Sequence, residues 1–76
     1  METTKFFRKA NESGTFAIEC GAQDGKPVIR ARSATSKWGT WKSDFDKIKF
    51  PSESEKEYFR EHIQGREDLD LSELFG

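Results

Sequence analysis

Histidine and cysteine are almost missing from this chain: His62 and Cys20 stand alone among 76 residues. One cysteine excludes an internal disulfide. A zinc site needs three or four nitrogen or sulfur ligands, and the carboxylates alone are an unsuitable set. A Ser–His or Cys–His nucleophile would have to use His62, and no nucleophile elbow surrounds any serine. No apolar run approaches the length of a membrane span, and the start, Met1 to Arg8, lacks the apolar core of a signal peptide. These absences lead to an expectation of a non-enzymatic protein with no metal, no cofactor and no membrane association, in a reducing, cytoplasmic setting.

Seven phenylalanines, two tryptophans and one tyrosine are present instead. They concentrate burial into few side chains, which suits one small domain spanning 1–76. The net charge of −1 conceals a split. Residues 1–50 hold ten Lys/Arg against six Asp/Glu, a net of +4, and residues 51–76 hold three against eight, a net of −5. Either a cationic surface faces an anionic one, or the two halves neutralise each other in the fold.

The local pattern predicts α+β architecture: a three- to four-stranded antiparallel meander over 4–50, one helix over 52–64 packed on one face, and an acidic-hydrophobic tail over 66–76. Thr4–Ala10 reads as a strand and Asn11–Gly14 as a turn. Thr15–Gln23 alternates Phe16, Ile18 and Cys20 on one face. Asp24-Gly25 between β-prone runs signals a two-residue hairpin turn with positive φ at both positions. Lys26–Ala34 is its partner, with Ile29 and Ala31 inward and Arg30 and Arg32 outward. Thr40–Phe50 reads as a fourth strand, and a break near Asp46-Lys47 brings Trp41, Phe45, Ile48 and Phe50 into one core. Ser52 and Glu55 have capping-box spacing, Tyr58, Phe59, His62 and Ile63 form the helix stripe, and Gly65 ends it. Cys20 reads as a buried small apolar residue.

The chemistry concentrates in Arg30–Lys42. Four cations (Arg30, Arg32, Lys37, Lys42) and both tryptophans fall within this segment. Cations attract phosphate, and indole faces stack unpaired bases, at roughly 1–3 kcal/mol per base. The candidate nucleic-acid-binding residues are therefore Arg30, Arg32, Lys37, Trp38 and Lys42, with Trp41 assigned to the core. The competing reading makes Trp38 a cap on a sheet edge and pairs the arginines with Glu19 or Asp44.

The order of strands followed by one helix is similar to the small single-strand-binding domains of the transcription-coactivator and Whirly type. The likeness covers the layout of about 4–64 and carries no motif. It implies a curved four-stranded sheet, single-stranded nucleic acid as partner and dimerisation through the helix. At the other end, Asp68–Gly76 interleaves acids with Leu69, Leu71, Leu74 and Phe75. It resembles the acidic tail peptides of single-strand-binding proteins and the Leu-Phe peptides that dock on sliding clamps, without the leading glutamine of the latter. That resemblance makes Leu71, Leu74 and Phe75 candidate partner-binding residues. The alternative is that they close onto the domain as a second short helix.

Two functions follow. In one, the protein contacts single-stranded nucleic acid through a basic-aromatic sheet face. In the other, it is a protein–protein inhibitor or adaptor of phage type that acts through its acidic helix and tail. The helix acids Glu53, Glu55, Glu57 and Glu61 read mainly as a solvated, dipole-matched face.

Overall fold

A computed structural model describes residues 3–66, 68–69 and 71–75. Three strands, β1 (Thr4–Ala10), β2 (Phe16–Gln23) and β3 (Lys26–Ser33), form an antiparallel sheet in chain order. One helix, α1 (Glu53–Gln64), and two short 3-10 turns, Phe45–Lys47 and Ser72–Phe75, complete the α+β fold.

The hairpins form where the turn chemistry demands them. Asp24 and Gly25 both have positive φ, at 53° and 78°, so a two-residue turn carries β2 into β3 without a register slip. The first turn is organised by Asn11, which is buried. Its Oδ1 accepts from the backbone N–H groups of Thr15 and Phe16, and its Nδ2 donates to Thr15 Oγ1 and to Glu55 Oε1 on α1. One side chain thus closes the β1–β2 turn and ties it to the helix.

Strand alternation sorts the sheet into two faces. Ile18 sits opposite Ala31, and Cys20 opposite Ile29, on the inner face. Glu19 opposite Arg30 and Ala17 opposite Arg32 share the outer face with Arg8 and Ala10 of β1. The β1 register shifts between Lys5 and Phe7. Phe7 therefore turns toward the core, while Phe6 at the irregularity is exposed. Gly21 permits this close approach of β1, because a Cβ there would collide with the Thr4 carbonyl oxygen.

The inner face buries Phe16, Ile18, Cys20 and Ile29 against Phe59 and Ile63 of α1 and against Phe45, Ile48, Leu71 and Leu74. Aromatic rings join the parts: Phe16 lies 5.8 Å from Phe59, and Phe45 lies 4.9 Å from both Phe50 and Phe75. Such tilted ring pairs add roughly 0.5–1.5 kcal/mol beyond the area they bury. Ser52 caps α1 by accepting from the Glu55 N–H, while the Glu55 carboxylate turns away to Asn11. Phe59 and Ile63 are the buried part of the helix stripe, Tyr58 is half-buried, and His62 is exposed. Gly65 closes the helix in right-handed conformation, its N–H bonding to Glu61 O.

Two expectations need correction. Thr40–Phe50 is not a strand. It pairs with β3 only at Lys42, which exchanges both backbone hydrogen bonds with Ile29, at 2.8 and 2.7 Å. Asp44 then caps the 3-10 turn by accepting from the Asp46 N–H, and the turn redirects Phe45 and Ile48 inward. A local cap thus does what a bulge was expected to do. Trp41 is not in the core either: it is half-buried and its ring is stacked on Arg30. The residue before Lys42 lies on the outer side of β3, because Lys42 shares the inner side with Ile29.

Candidate nucleic-acid interface

After β3, residues 34–41 double back along the free edge of that strand. The Gly39 N–H donates to Ala31 O at 3.1 Å, and the bridge at Lys42 fixes the return. Ser36 holds the start of the loop by accepting from the Ser33 N–H at 3.0 Å. The loop brings both indoles over the outer face. The Arg30 guanidinium carbon lies 5.0 Å from the Trp38 ring centroid and 4.4 Å from that of Trp41. The Arg32 guanidinium lies 5.2 Å from Trp38. Two arginines two residues apart on one strand share a face, and Trp38 contacts both.

The two arginines differ in their electrostatics. Glu19, directly across the ladder, accepts from Arg30 Nε at 2.8 Å and from Arg30 Nη2. Glu19 is 7% exposed. Arg30 is thus held between two indoles and a buried carboxylate, and its charge serves the fold. Arg32 is exposed and has no carboxylate partner among the described residues. The carboxylate pairing that the competing reading gave to both arginines is present for Arg30.

Arg8, which sequence reasoning passed over, joins the site through the sheet register. Arg8, Ala10, Ala17 and Arg32 border a shallow notch of about 360 Å³ on the outer face. Its floor is small because Ala10 and Ala17 are directly opposed. Its rim carries two arginines, and among the described residues no carboxylate lines it. Alternation groups Arg8 with Phe6 and Ala10 along β1, but only the β1–β2 register, with Arg8 opposite Glu19, puts it on the face of the outward arginines. Of the remaining candidates, Lys37 is exposed on the loop, while Lys42 is half-buried on the other side of β3.

Among the described residues, the ion pairs that cross between the two halves of the chain join Asp46 to Lys56 and Arg60, at 3.2 and 3.9 Å. They withdraw an acid from the cationic half and two bases from the anionic half. The folded halves therefore do not cancel, and the segregation of charge sharpens.

Leu71, Leu74 and Phe75 pack against the domain. Leu71 and Leu74 are buried in the core, and Phe75 packs on Phe45. Leu74 is closed off, while Leu71 and Phe75 also line a surface hollow of about 400 Å³ with Leu69 and Arg66. The second short helix weighed for this region is present as the turn Ser72–Phe75.

Cys20 is a free, buried thiol. Burial, then the neighbouring Glu19 charge, push its thiol up to about 12, with Arg66 pulling weakly the other way. An unfolded thiol titrates near 8.5. The raised value means the folded state keeps its proton where the unfolded state has lost it. The thiol's contribution to stability is therefore complete below about pH 8.5 and is lost as pH climbs toward 12. Stability of the native protein should fall between pH 9 and 11 more steeply than that of Cys20→Ala, measured by urea unfolding at each pH. Parallel slopes would refute the assignment. Among the described residues, no cluster of three His, Cys, Asp or Glu side chains could hold a metal ion, and no helix is long and apolar enough to cross a membrane.

Compared with known proteins, the chain matches no family model, no curated protein and no solved structure.

Proposed function

We propose that the protein is a small non-enzymatic binder of single-stranded nucleic acid, and that the strand lies across the outer face of the sheet. The observation that carries this reading is the notch between Arg8 and Arg32 beside Trp38, cationic at its rim and small at its floor. The guanidiniums of Arg8 and Arg32 and the ammonium of Lys37 neutralise phosphates. Trp38 and the guanidinium plane of Arg32 offer flat surfaces to unpaired bases, which stack on aromatic rings and on arginine alike. Arg30 keeps a positioning role: it holds Trp38 and Trp41 in place and is itself neutralised by Glu19. Lys42 lies on the other side of β3 and leaves this phosphate-contacting set. The helix faces away, as the inner face requires.

Phosphate contacts set the salt dependence of binding, at about 0.7 in the logarithmic slope for each contact on a single strand. Arg8→Ala with Arg32→Ala should weaken binding of a fluorescent deoxythymidine oligonucleotide and reduce that slope by about 1.4. Neither side chain has an ion-pair partner among the described residues, and the Trp38 contact of Arg32 is worth about 1 kcal/mol at an exposed site. The double variant should therefore remain folded. Unchanged salt-dependent binding by the folded variant would remove both arginines from the site, and no binding by the native chain would end the proposal. In Trp41→Phe, which leaves Trp38 as the one tryptophan, quenching of the indole emission on titration with the same oligonucleotide, against duplex of the same length, reports the stacking.

A further inference from the structure

A second cationic hollow lies on the opposite side of the 34–41 loop, under the free edge of β3. It is a cleft of about 330 Å³ whose floor is apolar, made of Phe16, Ala31 and Ile48. Lys42, Lys47 and Lys49 stand around it, and among the described residues no carboxylate lines it. The acids nearest in sequence are engaged elsewhere: Asp44 caps the 3-10 turn, and Asp46 is paired with Lys56 and Arg60. Among the described residues, none of the three lysines has an ion-pair partner. The backbone of Gly39 and Thr40 forms one wall, and a Cβ at Gly39 would meet only the Ala31 carbonyl oxygen, at 3.4 Å.

Three lysines that lack an ion-pair partner among the described residues, around an aromatic and aliphatic floor, call for a ligand that is anionic at one end and flat and apolar at the other. The volume falls at the lower end of the range for small-molecule sites. We infer that this cleft is a separate site for a nucleoside phosphate, with the base against Phe16 and Ile48 and the phosphate among Lys42, Lys47 and Lys49. The inference stands apart from the outer-face reading, because the two hollows share only Phe16 and use different cations.

The test is an amide chemical-shift titration of the full chain with AMP, with adenosine and inorganic phosphate as parallel probes. AMP should shift Gly39, Thr40 and Lys47–Lys49 saturably, and adenosine and phosphate should each bind at least tenfold more weakly. Lys47→Gln with Lys49→Gln should weaken AMP at least tenfold without moving the melting temperature, since both side chains are exposed. Arg8→Ala with Arg32→Ala should leave AMP binding intact. Absence of saturable shifts at these amides would overturn the assignment, as would native affinity in the lysine variant. Inorganic phosphate binding as tightly as AMP would also overturn it, by showing that the apolar floor takes no part. An AMP site that persists in the arginine variant, while oligonucleotide binding fails there, separates the two proposals.

Discussion

Arg30→Ala should destabilise the protein by about 3 kcal/mol, because it leaves the Glu19 carboxylate buried without its counter-charge. A domain of this size has roughly 4–11 kcal/mol of stability in total. Each kcal/mol moves the melting temperature by about 4–8 °C, so a fall of about 12 °C or more is expected. The tryptophan emission of the folded fraction should shift to the red, because Arg30 contacts both indoles. Glu19→Leu with Arg30→Met should recover most of the loss, since removing both charges leaves no buried ion to solvate. Thermal melts of the single and double variants form a cycle that isolates the pair. A single variant melting within about 2 °C of the native protein would show that the guanidinium is not engaged by the fold. Arg30 would then return to the set of phosphate ligands. The same result bears on interpretation of binding data: a loss of nucleic-acid affinity in an Arg30 variant reports unfolding unless the melt is shown beside it.

The second large effect concerns the C-terminal segment. A chain ending after Leu69 should be largely unfolded at 25 °C. It lacks Leu71 and Leu74, which are 3% and 0% exposed, and the Phe75 ring beside Phe45. Truncating one buried leucine to alanine costs about 2–5 kcal/mol, so losing both removes an amount comparable with the whole stability. Leu74→Ala alone should cost about 3 kcal/mol, and Glu73→Gln, at an exposed position in the same turn, less than 0.5 kcal/mol. Circular dichroism melts of the three variants decide the matter. If the shortened chain melts with the native protein, the segment is dispensable to the fold. Its leucines would then be free for a partner, as the adaptor reading requires.

Much of the framework was legible because it depends on neighbours in the chain. Asp24-Gly25 takes positive φ whatever surrounds it. The period-two run Phe16–Cys20 can bury only one face, and Ser52 satisfies an N–H three residues along. The site was only half legible. That Arg30 and Arg32 point outward follows from alternation. That one is neutralised, while the other has no ion-pair partner among the described residues, depends on Glu19 standing across the ladder from Arg30, and that pairing depends on the β2–β3 register. Arg8 enters the outer face through the β1–β2 register, which shifts at Lys5/Phe7 in a way that no local pattern reveals. The placement of Trp41 was misread because parity along Thr40–Phe50 assumes a continuous strand. A capped 3-10 turn at Asp44 breaks that parity.

The sequence by itself determined the three strands, the two hairpin turns and the helix start, all of which rest on short-range sterics and hydrogen bonding. It also determined that cations and indoles would be gathered after β3, since they are adjacent in the chain. Only the tertiary structure decided which of those cations remain available to a ligand. Compensation of a charge depends on a carboxylate reaching it through space. Here Asp46 is drawn away to the helix, Glu19 is committed to Arg30, and Arg8, Arg32, Lys42, Lys47 and Lys49 remain without an ion-pair partner among the described residues. Only the tertiary structure, too, sent Leu71 and Leu74 inward, because a core this small gains more from two further leucines than a solvated tail would.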